Sequence, residues 1–266
     1  MPDHIVTAFT DELEHLSANL LRMGGLAESM IMDASRAVAT FDLELARDVI
    51  KRDRAIDELE VEAEKAIVRL IALRHPMATD LRAVLGAMKL AGDIERIGDL
   101  CKNIGKRCLE LTGDENRAAV KGIERMSRAV SHQLQLALDC YLRQDIEAAK
   151  TVLDMDDDID DHYTSLFRET LTYMMEDPRS ITVCTHLLFM AKNLERVGDH
   201  VTNIAENIYF FVHGTPISEN RPKFEESYYT VMKQAEKDAF PEDGKSESGK
   251  TKNKTGKAPR KNPSKE

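Results

Sequence analysis

Two seven-residue blocks, Asp93-Ile94-Glu95-Arg96-Ile97-Gly98-Asp99 and Asn193-Leu194-Glu195-Arg196-Val197-Gly198-Asp199, each carry Glu and Asp at i and i+4. On a helix that spacing puts two carboxylates on one face, one turn apart, where like charges repel. A second pair of matches, Asp53/Asp57 and Asp156/Asp160, repeats the spacing, each with Ile just before the second Asp. Carboxylates gathered in this way suit a hard or borderline cation with oxygen preference, such as magnesium, manganese, iron or zinc. The competing reading is a solvated acidic face balanced by Arg52, Arg54, Arg96 and Arg196.

The elements that must position these residues are helices. Trp is absent, aromatics are few, and Leu, Ala, Met, Glu and Arg are plentiful, a mix that favours helix over sheet. From Phe9 through Leu13, Leu16, Leu20, Met23, Ala27, Met30, Ala34 and Ala37 to Phe41, small and apolar residues recur at 4,3 spacing, the seam of a packed helix. Gly24-Gly25 inside it marks a bend or a close contact. A second helix begins near Asp42, a suitable N-cap, and stops at Arg74-His75-Pro76. A third runs from Met77 to about Leu111. The pattern then repeats, with helices over about 115–143, 145–176 and 179–213, broken at Asp177-Pro178 and closed at Gly214-Thr215-Pro216.

The chain therefore reads as all-α, a tandem repeat of two antiparallel three-helix bundles of spectrin-repeat-like form. The first bundle spans 5–113 and the second 114–215, followed by a largely disordered tail over 221–266. The acidic pairs of the second and third helices are equidistant from the turn at Pro76, and those of the fifth and sixth from the turn at Asp177-Pro178. In each half, four carboxylates meet at one level of a hairpin. At about 100° per residue, they should lie on the bundle surface rather than in its core. Asn103 and Asn203, one turn further, are candidate oxygen ligands at the edge.

Charge and composition narrow the function. The formal net charge of −10 argues against a general nucleic-acid binder. It is uneven, since positions 241–266 hold seven Lys and one Arg against four acidic residues. No run reaches the ~18–20 apolar residues of a membrane span, and Cys101, Cys108, Cys140 and Cys184 lack CxxC spacing. The expected setting is the cytoplasm, with reduced thiols. Gly244 to Thr251 matches the P-loop spacing but lacks the strand and helix that its phosphate cradle needs. Glu12-Leu13-Glu14-His15 offers one ExxH, where a di-iron bundle needs two and further Glu ligands. No nucleophile–base arrangement stands out, so no catalytic residue is expected.

The paired carboxylates, the phrases His75-Pro76-Met77-Ala78-Thr79-Asp80-Leu81-Arg82 and Leu194-Glu195-Arg196-Val197-Gly198-Asp199, and the early Leu20-x-x-Met23-Gly24-Gly25 together resemble the PhoU family of bacterial phosphate-transport accessory proteins. The resemblance covers roughly residues 5–215. It implies a helical, dimeric, non-enzymatic regulator of phosphate homeostasis. Such a protein restrains uptake by the Pst ABC transporter through its ATPase subunit PstB and signals phosphate sufficiency to the PhoR sensor kinase. It would meet membranes only through partner proteins. Carried over residue by residue, the resemblance implies metal binding at Asp53, Asp57, Glu95 and Asp99, and at Asp156, Asp160, Glu195 and Asp199. Asp93 becomes Asn193 in the second block, so the two sites are expected to bind metal unequally. The alternative is a ferritin-like metal-dependent oxidase or storage protein, which requires an inward-facing cluster with His ligands. A further expectation is that the apolar stripe of the first or fourth helix buries against a second copy or a partner.

Overall fold

The computed structural model describes residues 2–111 and 117–215. Six long helices account for nearly all of them: α1 (Pro2–Thr40), α2 (Leu43–Arg74), α3 (Thr79–Cys108), α4 (Arg117–Arg143), α5 (Ile146–Glu176) and α6 (Ile181–His213). A single 3-10 turn, Pro178–Ser180, precedes α6.

The two halves start their middle helices with the same device. Asp42 Oδ1 accepts from the backbone N–H groups of Glu44 and Leu45 at 3.1 and 3.0 Å. Asp145 Oδ1 accepts from Glu147 and Ala148, both at 3.1 Å. These bonds satisfy N-terminal donors that the helix itself cannot. The residues just before, Phe41 and Gln144, take left-handed backbone angles (φ 54° and 53°), which end α1 and α4 and reverse the chain. The hairpin tips differ. In the first, left-handed His75 caps α2 through its N–H to the Ile71 carbonyl. In the second, Asp177 caps the 3-10 turn and binds the Arg179 side chain at 3.0 Å.

In each half three helices pack together, α1 with α2 and α3, and α4 with α5 and α6. The halves then join through α1 on α4 and α3 on α6. Lys89 Nζ donates to Asn207 Oδ1 at 3.2 Å, Asp93 meets His200, and the Arg107 guanidinium lies 4.0 Å from the Phe189 ring centre. Numbers rise along α3 as they fall along α6, so these helices are antiparallel. Ser17–Tyr141, Gly24–Leu138 and Glu28–Gln135 show the same for α1 and α4. Four helices thus run side by side in the order α2, α3, α6, α5, with α1 and α4 behind them.

This arrangement corrects the expectation for the apolar stripe of the first helix. Leu16, Leu20, Met23, Ala27, Met30, Ala34 and Ala37 are fully buried within the chain itself. Ile123, Met126, Val130, Leu134 and Ala137 of α4 are likewise fully buried. The glycine pair divides its labour: a Cβ on Gly24 would stand 2.5 Å from Leu138 Cδ1, whereas one on Gly25 meets nothing within 4 Å. Gly24 permits close packing of α1 on α4, and Gly25 only adds backbone freedom. Gly25→Ala is therefore expected to raise unfolding free energy by about 0.5–1 kcal/mol, read from the urea midpoint at unchanged slope. The four cysteines are free and buried. The basic tail and the P-loop-like stretch lie outside the described residues.

Candidate carboxylate sites

Each predicted set is assembled across a helix hairpin, and the glycine of the repeated block explains how the helices come close enough. A Cβ on Gly98 would lie 2.9 Å from Ile56 Cδ1 and 3.6 Å from Asp53 Oδ1. A Cβ on Gly198 would lie 3.3 Å from Ile159 Cδ1 and 3.6 Å from Asp156 Oδ1. The same Gly–Ile–Asp contact thus recurs in both halves. It brings Asp53 and Asp57 of α2 beside Glu95 and Asp99 of α3, and Asp156 and Asp160 of α5 beside Glu195 and Asp199 of α6.

Burial is not uniform, which corrects the surface-only expectation. Asp53 is 4 % exposed and Glu195 3 % exposed, while Asp57 and Asp199 face solvent and the other four are half-buried. Asn103 and Asn203 are exposed. Asn203 lies across the seam from its own set, in a groove of about 490 Å³ with Glu60, Asp93, Glu95 and Arg96. His200 Nδ1 stands 3.1 Å from Asp93 Oδ1 at that seam. The seam pair adjoins Glu95 on one side and Asp199 on the other, so the two sets stand at one level on either side of the α3–α6 contact.

The counter-charges are mostly lysines, where the sequence suggested arginines. Arg52 is engaged by Asp33 and Asp48 at 2.6 and 2.9 Å, and Arg54 by Glu58 at 3.0 Å. Only Arg96 reaches the first set, 3.4 Å from Glu95 and 3.6 Å from Asp99. Lys102 goes deeper: its Nζ lies 2.5 Å from Asp53 Oδ2 and 3.2 Å from Asp99 Oδ1, bridging α2 and α3. The hydrogen bond to Asp53 and that to Asp99 push the Lys102 pKa up. In the second set Thr202 takes the matching place, its hydroxyl donating to Asp156 Oδ1 at 3.1 Å. There Lys192 Nζ lies 2.6 Å from Glu195 Oε2, along the same helix, and 5.5 Å from the Tyr163 ring centre.

Burial and the neighbouring carboxylates of Asp156, Glu195 and Asp199 push Asp160 up to about 7, against a smaller pull from Lys192. Burial also raises Glu195 and, in the first set, Asp57 and Glu95. An acid whose folded pKa exceeds its unfolded value binds its proton more tightly in the fold. Its stabilising protonation is complete near pH 4 and is lost as pH rises toward 7. Asp160→Asn in chelator-treated protein is therefore expected to stabilise the fold at pH 8 by about 1–2 kcal/mol, after discount for partial solvent screening. At pH 4 it should change little, as urea unfolding at the two pH values would show.

The order of helices and the doubled site decide the relationship. A family model described as "PhoU domain" matches residues 20–108 and again 123–208. The chain belongs to the PhoU family. Its two PhoU domains coincide with the two three-helix units, each contributing one carboxylate set. A phosphate-specific transport system accessory protein PhoU homolog of Caulobacter vibrioides is 49% identical over 226 residues, covering 85% of this chain and 98% of the relative. The homolog from Rhizobium meliloti is 49% identical over 222 residues, 83% of this chain and 93% of the relative. Among solved structures, PhoU from Pseudomonas aeruginosa superposes with a TM-score of 0.72 at 36% identity, covering 78% of this chain and all of that one. The phosphate transport system regulatory protein PhoU from Streptococcus pneumoniae gives a TM-score of 0.74 at 29% identity, covering 79% and 100%.

All eight carboxylates are oxygen donors of the kind that hard and borderline cations take. Glu195 Oε2 is fully buried and is held by the Lys192 ammonium 2.6 Å away. By donor type the second set suits a cation, with the Lys192 ammonium the charge that an ion would displace. As placed, no three His, Cys, Asp or Glu side chains among the described residues converge on one metal-sized point, so binding requires side-chain rotation. The ExxH of α1 takes no part: Glu12 is held by Arg74 at 2.8 and 3.2 Å, and His15 is exposed. The inward cluster with His ligands that a ferritin-like oxidase requires is not formed by these residues.

Lys102, Lys192 and Thr202 were missed by reading the sequence for acids alone. The signal was available. Lys102 is three residues past Asp99, and Lys192 three before Glu195, both spacings that place a cation on the acidic face.

Proposed function

We propose that this PhoU-family chain is a non-enzymatic regulator of phosphate homeostasis that acts by binding. It restrains phosphate uptake by the Pst ABC transporter through the ATPase subunit PstB, and signals phosphate sufficiency to the PhoR sensor kinase. It works in the cytoplasm as a homodimer and reaches the membrane through those partners. The observation that carries this reading is the paired match to the PhoU domain, supported by relatives named as phosphate-specific transport accessory proteins over more than nine-tenths of their length. No described helix is long and apolar enough to cross a membrane, in keeping with partner-mediated contact.

The carboxylate sets are the binding centres of this reading. Asp156, Asp160, Glu195 and Asp199 would hold a divalent or trivalent metal ion such as iron, manganese, magnesium or zinc. Asp53, Asp57, Glu95 and Asp99 form the corresponding first set. A bound ion would supply positive charge and open coordination positions for an anion such as phosphate. The protein's own part is to hold the acids at one level on rigid helices, with Gly98 and Gly198 setting the helix spacing.

The test is phosphate uptake at high external phosphate in a strain lacking this gene. Excess uptake, corrected by the intact gene, is the expected result. Unchanged uptake together with unchanged phosphate-starvation signalling would remove the regulatory reading.

A further inference from the structure

The α2–α3 hairpin has two faces, and α1 packs on one of them. The other, on the open side of the four-helix row, carries an apolar stripe of its own. On α2, Val61 and Val68 follow Asp57 at i+4 and i+11, and on α3, Met88 and Leu85 precede Glu95 at i−7 and i−10. Helical geometry sets all four on the side of the hairpin that bears the carboxylates. Val61, Val68, Leu85 and Met88 are 43%, 65%, 43% and 46% exposed, much for large apolar side chains in one neighbourhood. The hairpin register brings them to matching heights. A Cβ on Gly92 would lie 4.0 Å from Glu60 Oε1 and meet nothing nearer. Val61 therefore stands near the level of Gly92, and Val68 near that of Leu85. Gly92 leaves a low point between the two rows.

One end of this stripe is acidic. Glu60 and Glu64 belong to neither carboxylate set, and burial, with the charges of Glu95, Glu64 and Asp57, raises the Glu60 pKa. Negative charge is in surplus there. The matched face of the second half is built otherwise. With Asp53 aligned on Asp156 and Asp99 on Asp199, Thr164 stands for Val61, Thr185 for Leu85, Tyr163 for Glu60 and Lys192 for Gly92. The Lys192 ammonium lies 5.5 Å from the Tyr163 ring centre, so its side chain crosses the place that Gly92 leaves open. We propose that the outer face of the α2–α3 hairpin seats a basic amphipathic helix of a partner protein. Its apolar side would lie on Val61, Val68, Leu85 and Met88, with Lys or Arg over Glu60 and Glu64. Two apolar rows at helical spacing on neighbouring antiparallel helices make a shallow groove suited to a third helix, as α1 shows on the opposite face. Charge complementarity selects a basic partner over an acidic one.

The test is fluorescence anisotropy on chelator-treated full-length protein, which makes it independent of any metal at the carboxylate sets. The probe is a labelled peptide of Leu and Lys about 15 residues long, hence about 22 Å as a helix, with Leu at 4,3 spacing. A scrambled peptide of the same composition and a peptide with Glu in place of Lys are the controls. The Leu/Lys helix should bind, and both controls should bind at least about tenfold more weakly. Val68→Gln/Met88→Gln should weaken binding about tenfold or more, as expected for loss of a central apolar contact. Gly92→Gln, which fills the low point, should do the same. Glu60→Gln/Glu64→Gln should weaken binding and flatten its dependence on salt. Leu171→Gln, at the position of α5 that matches Val68, should change nothing.

Equal binding of the scrambled peptide would reduce the interaction to charge alone and overturn the proposal. So would unchanged affinity in Val68→Gln/Met88→Gln, an equal loss in Leu171→Gln, or no binding of the Leu/Lys helix to the unsubstituted protein. Preference for the Glu-containing peptide would overturn the basic partner. The substituted apolar side chains are exposed and a Cβ on Gly92 has room, so circular-dichroism melts should be retained. Should Gly92→Gln fail to fold, Val68→Gln/Met88→Gln decides alone.

Discussion

Lys102→Met is expected to lower the unfolding free energy of chelator-treated protein by about 2–3 kcal/mol at neutral pH, the range for stranding a buried charge after allowance for the partly exposed ammonium. Methionine keeps much of the aliphatic stem and removes the charge. Asp53, 4 % exposed, then loses the cation 2.5 Å from its Oδ2. The cost comes from the carboxylate left behind, because a buried ion without its partner retains its desolvation penalty and loses the attraction that offset it. The double variant Asp53→Asn/Lys102→Met should therefore be much less destabilised than the sum of its two single changes. A coupling of at least about 1 kcal/mol in that cycle is expected for groups in direct contact. Additive effects in urea unfolding would mean that the ammonium and the carboxylate do not act as a pair.

Gly98→Leu is expected to be more damaging, at about 3 kcal/mol or more, the upper range for overpacking a tight interior. Already the first added carbon would meet Ile56 Cδ1 at 2.9 Å, and Ile56 is itself fully buried. Three further carbons have no space unless α2 moves away from α3. That movement would also separate Asp53 and Asp57 from Glu95 and Asp99, so the stability loss and the dispersal of the first set are one event. Gly198→Ala provides the contrast. Its Cβ would lie 3.3 Å from Ile159 Cδ1, a small adjustment offset by the helix propensity gained from alanine, up to about 1 kcal/mol. Urea midpoints should thus fall sharply for Gly98→Leu and change little for Gly198→Ala. Equal losses would show that the glycine matters for something other than the space it leaves.

The helices and their seams were legible because each helix is seven or more turns long and its apolar positions recur with the helical period. Asp42 and Asp145 could be read as caps because an Asp ahead of a periodic run has one local role, which no distant contact needs to supply. The meeting of the acidic pairs was also legible, since in an antiparallel hairpin equal distance from the turn means equal height. Family membership followed from the same doubled block.

What the linear pattern left open was everything that depends on how one half sits against the other. The stripe on α1 reads equally well as a dimer face or an internal contact, and only the antiparallel docking of α1 on α4 shows it covered within the chain. The depth of the acids was equally hidden. Asp53 and Glu195 lie at the flank of their seams, where burial depends on how closely the neighbouring helix approaches. That approach is set by Gly98 and Gly198 through contacts with Ile56 and Ile159 on another helix. The choice of counter-ion was decided last and most locally. Arg52 and Arg54 stand beside Asp53 in sequence yet pair elsewhere, while Lys102, far along the chain, reaches it. Sequence by itself determined that four carboxylates would meet in each half. Tertiary structure alone decided which of them are withdrawn from water and which cation stands among them, because both depend on side chains that converge across helices.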